Sequence, residues 1–183
     1  MKQHHVFSFL QRMGKSFMLP IAVLPVAGIF LGVGSSLTNE TTIASLHLGS
    51  VLGNGTFLYS VLILLKQVGK ILFDNLPLIF AVSIALGMSK RRKEVAALAA
   101  IIAFFVMHAT INALLCLDGS IVNGVVSGQA LDGSITSVCG MLSLEMGVFG
   151  GIVVGLGVSY LHNHFYQIQL PNVISFYEGE RFV

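Results

Sequence analysis

The sequence predicts an all-α integral membrane protein with about four transmembrane helices and interfacial amphipathic helices beside them. Three observations carry that prediction. Hydrophobic residues fill 55% of the 183 positions and charged ones only 10%, against about a quarter charged in a soluble domain. Mean hydropathy is +0.86, and a soluble domain of this length needs more polar surface to face water. The apolar runs are continuous over the roughly 20 residues that a helix needs to cross a bilayer, not short and alternating as in a membrane β-barrel. A soluble enzyme and a disordered chain are therefore excluded, and a net charge of +2 is too small for a nucleic-acid binder.

Taken in order, Val6–Lys15 mixes polar and apolar residues as an interfacial helix does. The first span, Phe17–Leu37, is uncharged and carries Pro20 and Pro25, which bend it. Its Gly28 and Gly32 form a small-xxx-small pair for close helix packing. A basic start, an apolar run and Gly34-Ser-Ser36 outline a signal peptide, but the prolines interrupt the run and the positive region is long, so a retained span is expected. In Thr56–Lys70, the apolar run Phe57–Leu65 precedes Lys66 and Lys70, one turn apart on one face. That segment is expected to lie at the outer interface; a single tilted span over Phe57–Met88 with snorkelling lysines is the alternative. The second span is Ile71–Met88, the third Val95–Leu115 and the fourth Leu142–Leu161, where Gly147, Gly151 and Gly155 repeat the small-residue spacing. The stretch His162–Gly179 is too polar to span.

Basic residues beside spans stay cytoplasmic. Lys2, Arg12 and Lys15 precede the first span, Lys90, Arg91, Arg92 and Lys93 separate the second from the third, and Arg181 follows the fourth. The loops Thr38–Gly55 and Leu117–Gly140 contain no Lys or Arg. Both termini are thus expected inside.

Local chemistry is sparse. No Walker loop, Cys-x-x-Cys, His-Glu-x-x-His or Gly-x-Ser-x-Gly pattern occurs, so no catalytic residue, metal site or cofactor is assigned. Cys116 and Cys139 are expected to be buried free thiols. Asn39-Glu-Thr41 and Asn54-Gly-Thr56 match glycosylation sequons, which matter only in a eukaryotic secretory protein. Asp74 and Asn75 beside Pro77 either cap the second span or line a polar vestibule, and capping is favoured. His108 and Asn112 share one helix face and either bond to neighbouring helices or contact a polar solute. Glu145 stands near the outer end of span four. Asp74, His108, Asn112 and Glu145 are the candidate substrate contacts. His162-Asn-His164 has metal-like spacing without further ligands. The cluster Lys90, Arg91, Arg92 and Lys93 anchors topology and offers a docking face for an acidic cytoplasmic partner.

The motifs taken together resemble one family. Gly14-Lys-Ser-Phe-Met-Leu-Pro20, Leu24-Pro-Val-Ala-Gly-Ile-Phe-Leu-Gly-Val-Gly34 and Asn75-Leu-Pro-Leu-Ile-Phe-Ala81 with Ala85-Leu-Gly87 resemble the start of enzyme IIC, the membrane subunit of sugar phosphotransferase systems (PTS) of the glucose group. Gly147-Val-Phe-Gly-Gly151, His162-Asn-His-Phe-Tyr166, Leu170-Pro171 and Phe176-Tyr-Glu-Gly-Glu-Arg-Phe-Val183 continue that resemblance in the same order. Ser35-Ser-Leu37 and the long outer loop look closer to the maltose and glucoside branch. Glu178 and Glu180 depart from the family's usual signature.

The resemblance implies a multi-pass component of the bacterial inner membrane with a cytoplasmic amino terminus. It implies a sugar of maltose, glucoside or glucose type, phosphorylation by a fused or separate enzyme IIB through its phosphocysteine, and a homodimer. The family's sugar-binding Glu, in a Gly-Ile-Thr-Glu-Pro stretch, and its substrate-contacting His lie in the second half of longer relatives, and no position here matches them. Residues 1–183 are accordingly expected to be the N-terminal part of the IIC domain, a fragment or truncated product that supplies scaffold and dimerisation and is not catalytic alone. The competing expectations are a complete small membrane protein, such as a substrate-binding subunit of a vitamin transporter, and a non-functional remnant.

Overall fold

The computed structural model describes residues 2–53, 55–127 and 133–165. Asp132, the Asn54 sequon, Tyr166, Leu170-Pro171, Arg181 and the Phe176–Val183 signature lie outside the described residues. The chain is mostly helical, in two compact units: Met1–Pro20 with Leu76–Val183, and Ile21–Asn75.

The second unit holds most of α2 (Met18–Leu37), the short α3 (Glu40–Ser45) and α4 (Gly49–Leu52), and α5 (Phe57–Asp74). Its two long helices run antiparallel at backbone contact: a Cβ on Gly34 would stand 2.6 Å from Lys66 N, and one on Gly69 2.5 Å from Leu31 N. Gly28 and Gly32, expected to form the packing face of α2, border open space instead, and a Cβ on either would meet nothing within 4 Å. The close approach falls on Ala27, Leu31 and Gly34, about a helix turn apart on another face.

Thr56 starts α5 by accepting from Tyr59 N at 3.2 Å, and the helix runs to Asp74 rather than ending at Lys70. Nothing before Pro77 opposes helix. Pro77 has no N–H to offer the carbonyl of Phe73, so the ladder breaks there. Asn75 closes α5, its Nδ2 donating to Ile71 O at 2.8 Å. The side chain expected to cap the following helix thus caps the preceding one, and Asp74 is the last residue of α5 instead of heading span two. Pro77 takes the second position of α6 (Leu76–Met88), where a missing donor costs nothing.

In the first unit α6 packs against α7 (Lys93–Leu117) and α8 (Gly147–Phe165), with α1 (Lys2–Ser16) alongside. Contacts between α6 and α8 pair Pro77 with Gly151, and Ala81 and Ile84 with Gly155, so these helices run parallel. Small buried residues mediate α6–α7 packing too: Ala81, Ala85, Ala96 and Ala100 form one cluster with Phe104, Val154 and Val158. Ser16 of α1 sits where a Cβ on Gly87 would collide with it, and Phe17 meets Phe80 edge-on at 5.6 Å.

Among the described residues, two stretches are long and apolar enough to cross a membrane, Phe7–Leu37 and Lys93–Leu117, and α5 with α6 makes a third if counted as one span. Residues 57–88 are thus divided at Asn75 into α5 and α6; counted together they are the single Phe57–Met88 span that the sequence offered as the alternative. The expected fourth span, α8, is 19 residues long and ends on His162, Asn163 and His164. It begins at Gly147, not Leu142, because residues 141–144 are a strand.

That strand belongs to a pair of hairpins in the expected outer loop. β1 (Ile121–Val122) pairs with β2 (Val125–Val126), and β3 (Ile135–Val138) with β4 (Met141–Leu144). Each turn is two residues with positive φ, Asn123-Gly124 (52°, 74°) and Cys139-Gly140 (50°, 85°), the geometry that matches strand twist. Of the two thiols, Cys116 is exposed, which corrects the expectation of burial, and Cys139 is half-buried. Burial pushes the Cys139 thiol upward, so little reactive thiolate exists there at neutral pH.

The α6–α8 contact yields a stability test. A Cβ at Gly151 would lie 2.0 Å from Pro77 O, so Gly151→Val must move backbone and costs at least about 2 kcal/mol. Gly157 has open space around it, and Gly157→Ala is neutral or gains about 0.5–1 kcal/mol from helix propensity. Thermal unfolding in detergent is expected to fall for the first variant only.

Candidate functional site

The first unit brings together three of the four candidate substrate contacts, at the end of α7 beneath the second hairpin. His108 is buried at 2% exposure. Its Nδ1 hydrogen-bonds Ser143 Oγ at 2.7 Å, and its ring meets Phe104 at 4.5 Å. One turn on, Asn112 Nδ2 donates to Leu142 O at 2.6 Å. The i, i+4 spacing seen in the sequence thus aims both side chains at a single strand. Glu145 follows β4: its N–H donates to Ser134 O at 2.9 Å, and its carboxylate accepts from the Thr136 hydroxyl. Asp74 belongs to the other compact unit, exposed at the end of α5.

Chemically, this cluster is a latch. Helix α7 supplies partners that β4 lacks on that side, Asn112 for the Leu142 carbonyl and His108 for the Ser143 hydroxyl. Ser143, which is fully buried, is absent from the candidates drawn from sequence. A signal was present in Cys139-Gly140, a residue pair ending in Gly between the short segments Ile135-Thr-Ser-Val138 and Met141-Leu-Ser-Leu144.

At the opposite end of α7, the docking candidates Lys90, Arg91, Arg92 and Lys93 form the turn from α6 and are all exposed. Arg92 adopts a left-handed conformation, φ 45°, at the start of α7. Its ion pair with Glu94, at 3.8 Å with both side chains mostly in solvent, adds little stability. The turn is held instead by the last turn of α8. Asn163 Nδ2 donates to Met88 O at 3.0 Å while its Oδ1 accepts from Lys90 N at 2.8 Å. His162, fully buried, donates from Nε2 to Arg91 O at 2.7 Å. The His162-Asn-His164 motif therefore positions a cationic turn, and among the described residues no group of three His, Cys, Asp or Glu gathers around a common point.

Comparison with known proteins adds the context. The model of the family described as "Phosphotransferase system, EIIC" matches residues 14–183. Over 178 residues the chain is 40% identical to the PTS system glucose-specific EIICBA component of Staphylococcus saprophyticus subsp. saprophyticus, covering 97% of this chain and 25% of that relative. The chain spans about a quarter of the length of the curated relative it matches. The relative's name places it in the glucose branch, whereas Ser35-Ser-Leu37 leaned toward the maltose and glucoside branch.

Both anchors can be tested. Ser143→Ala leaves a buried imidazole nitrogen without its partner and costs about 1–3 kcal/mol, and the double variant Ser143→Ala/His108→Leu costs less than the sum of the singles; detergent melting curves measure both. Asn163→Ala removes two bonds from the Met88–Lys90 turn, so trypsin is expected to cut after Arg91 or Arg92 roughly fivefold faster or more, as local opening becomes easier.

Proposed function

Because the chain belongs to the phosphotransferase system EIIC family, we propose that it is the scaffold part of a sugar permease of the bacterial inner membrane. In this reading the permease moves a glucose-type sugar inward while enzyme IIB phosphorylates it. The observation that carries the reading is the continuity of the match, 40% identity along 97% of the chain. The relative's name, a glucose-specific EIICBA component, supports both the sugar class and a IIB partner.

The division of labour follows from how the polar side chains are used. His108 and Asn112 hold a hairpin, and their role is to shape the outer face of the scaffold. The exposed Lys90–Lys93 turn, held by α8, is the face offered to the acidic surface of a cytoplasmic partner. Its four cations support an orientation with that end of α7 inside, the hairpins outside and the amino terminus in the cytoplasm. Homodimerisation through this scaffold belongs to the same reading, with Ala22, Ile29, Gly32 and Val33 of α2 as an exposed face made of small and branched apolar residues.

A chimera in which residues 1–183 replace the matching part of the S. saprophyticus relative is expected to support phosphoenolpyruvate-dependent glucose phosphorylation in membrane vesicles. A chimera that inserts stably and stays inactive would overturn the scaffold assignment. Residues 1–183 alone, reconstituted with enzyme IIB, are expected to yield no phosphosugar. Orientation is read separately: in a cysteine-free background, Arg91→Cys is expected to resist a membrane-impermeant maleimide in intact cells while Asp118→Cys reacts, and the reverse pattern sinks the proposed topology.

A further inference from the structure

The first unit contains a cavity of about 460 Å³ between α1, α6 and α8, within the range of about 300–1,000 Å³ in which small ligands are held. Its lining is mixed. Phe9, Met88 and Leu156 form an apolar wall, and Arg12, Lys90, Tyr160 and His164 line it as well. Neither Arg12 nor Lys90 has a carboxylate partner among the described residues: the ion pair found there joins Arg92 to Glu94, and Arg12 makes only a long 3.5 Å bond from Nε to Ser8 O in its own helix.

The frame around these groups is fixed from three directions. Asn163 clamps the backbone at both Met88 and Lys90. Ser16, buried against Gly87, seats α1 beside α6 and so brings Phe9 and Arg12 to the cavity. The Tyr160 and His164 rings stack within 4° of parallel.

We propose that this cavity binds the phosphate group of an anionic phospholipid, its acyl chains meeting the apolar wall. Two cations that find no carboxylate among the described residues call for an anion. The apolar wall of Phe9, Met88 and Leu156 calls for a hydrocarbon tail, which a soluble phosphate ester lacks, and basic pockets between membrane helices have the chemistry to take such head groups. The proposed orientation enters only in deciding that the inner leaflet supplies the lipid. Binding is read on residues 1–183 without sugar or enzyme IIB, so its outcome is independent of the transport assays.

The test is native mass spectrometry and thermal unfolding of the purified chain in detergent with added dioleoyl-phosphatidylglycerol or dioleoyl-phosphatidylcholine. The expected result is preferential retention of the phosphatidylglycerol with a higher unfolding temperature. Each cation near an anionic head group contributes about 1 kcal/mol, or roughly fivefold, so Arg12→Gln/Lys90→Gln is expected to lose roughly 25-fold in affinity. Lys90→Gln alone is expected to lose about fivefold, and serves if the double variant unfolds early in the choline lipid. Inorganic phosphate and glycerol 3-phosphate form the soluble arm and are expected not to compete at millimolar concentration. Equal retention of the two lipids, no effect of Lys90→Gln, or full displacement by a soluble phosphate would each overturn the proposal.

Discussion

The contact on which the first unit depends is the backbone approach of α8 to α6 at Gly151 and Gly155, where the missing side chains leave room for the carbonyls of Pro77 and Ala81. In a membrane, helix association has no hydrophobic drive between apolar surfaces, so it rests on close van der Waals packing, which small residues permit. That contact sets two parallel helices side by side. The chain between them must then cross back, and α7 does so against the same alanine-rich face. Met107 of α7 already stands beside Gly150 near the start of α8, yet the helix goes on to Leu117. The residues after it therefore have to return along α7, and the hairpins are the form that return takes. The same parallel register carries the end of α8 to the end of α6, which is how His162 and Asn163 come to lie under the 88–91 turn.

Polar side chains within these helices are used sparingly, and several of them hold irregular segments at the helix ends. His108 and Asn112 fix β4 at one end of α7, and His162 and Asn163 fix a turn at the other. An unpaired polar group in an apolar surround costs several kcal/mol, so irregular backbone at either end of a span is tolerable only where a neighbour reaches it. The arrangement also separates two chemistries: the hairpin end carries Glu145 and Asp118 and no basic side chain among its described residues, while the turn end collects Arg12 and Lys90–Lys93. A cationic turn whose backbone is held by His162 and Asn163 is suited to meeting anions.

Much of this was legible one residue at a time. The apolar runs, Pro77 in a first turn and the bias of Lys and Arg follow from helix length, proline chemistry and charge placement, all local properties. The hairpins were legible as well, in Asn123-Gly124 and Cys139-Gly140 between short segments, but that signal is weak beside a long apolar stretch, and the expected fourth span ran across part of it. Gly28 and Gly32 show the limit of spacing rules: small residues four apart permit a close approach without saying which face of the helix a neighbour takes, and α5 takes the face of Ala27, Leu31 and Gly34.

By itself, then, the sequence determined the solvent, the apolar segments, the sign of charge at each end and the family, because these depend on composition and order along the chain. Tertiary structure alone decided what the polar residues do. His108 latches a strand 35 positions away, and Asn163 grips a turn 73 and 75 positions away. Hydrogen bonds are satisfied in space by whichever group packing brings within reach, and that choice is made by the glycine-mediated contact of α6 with α8, not by any pattern of neighbours in sequence.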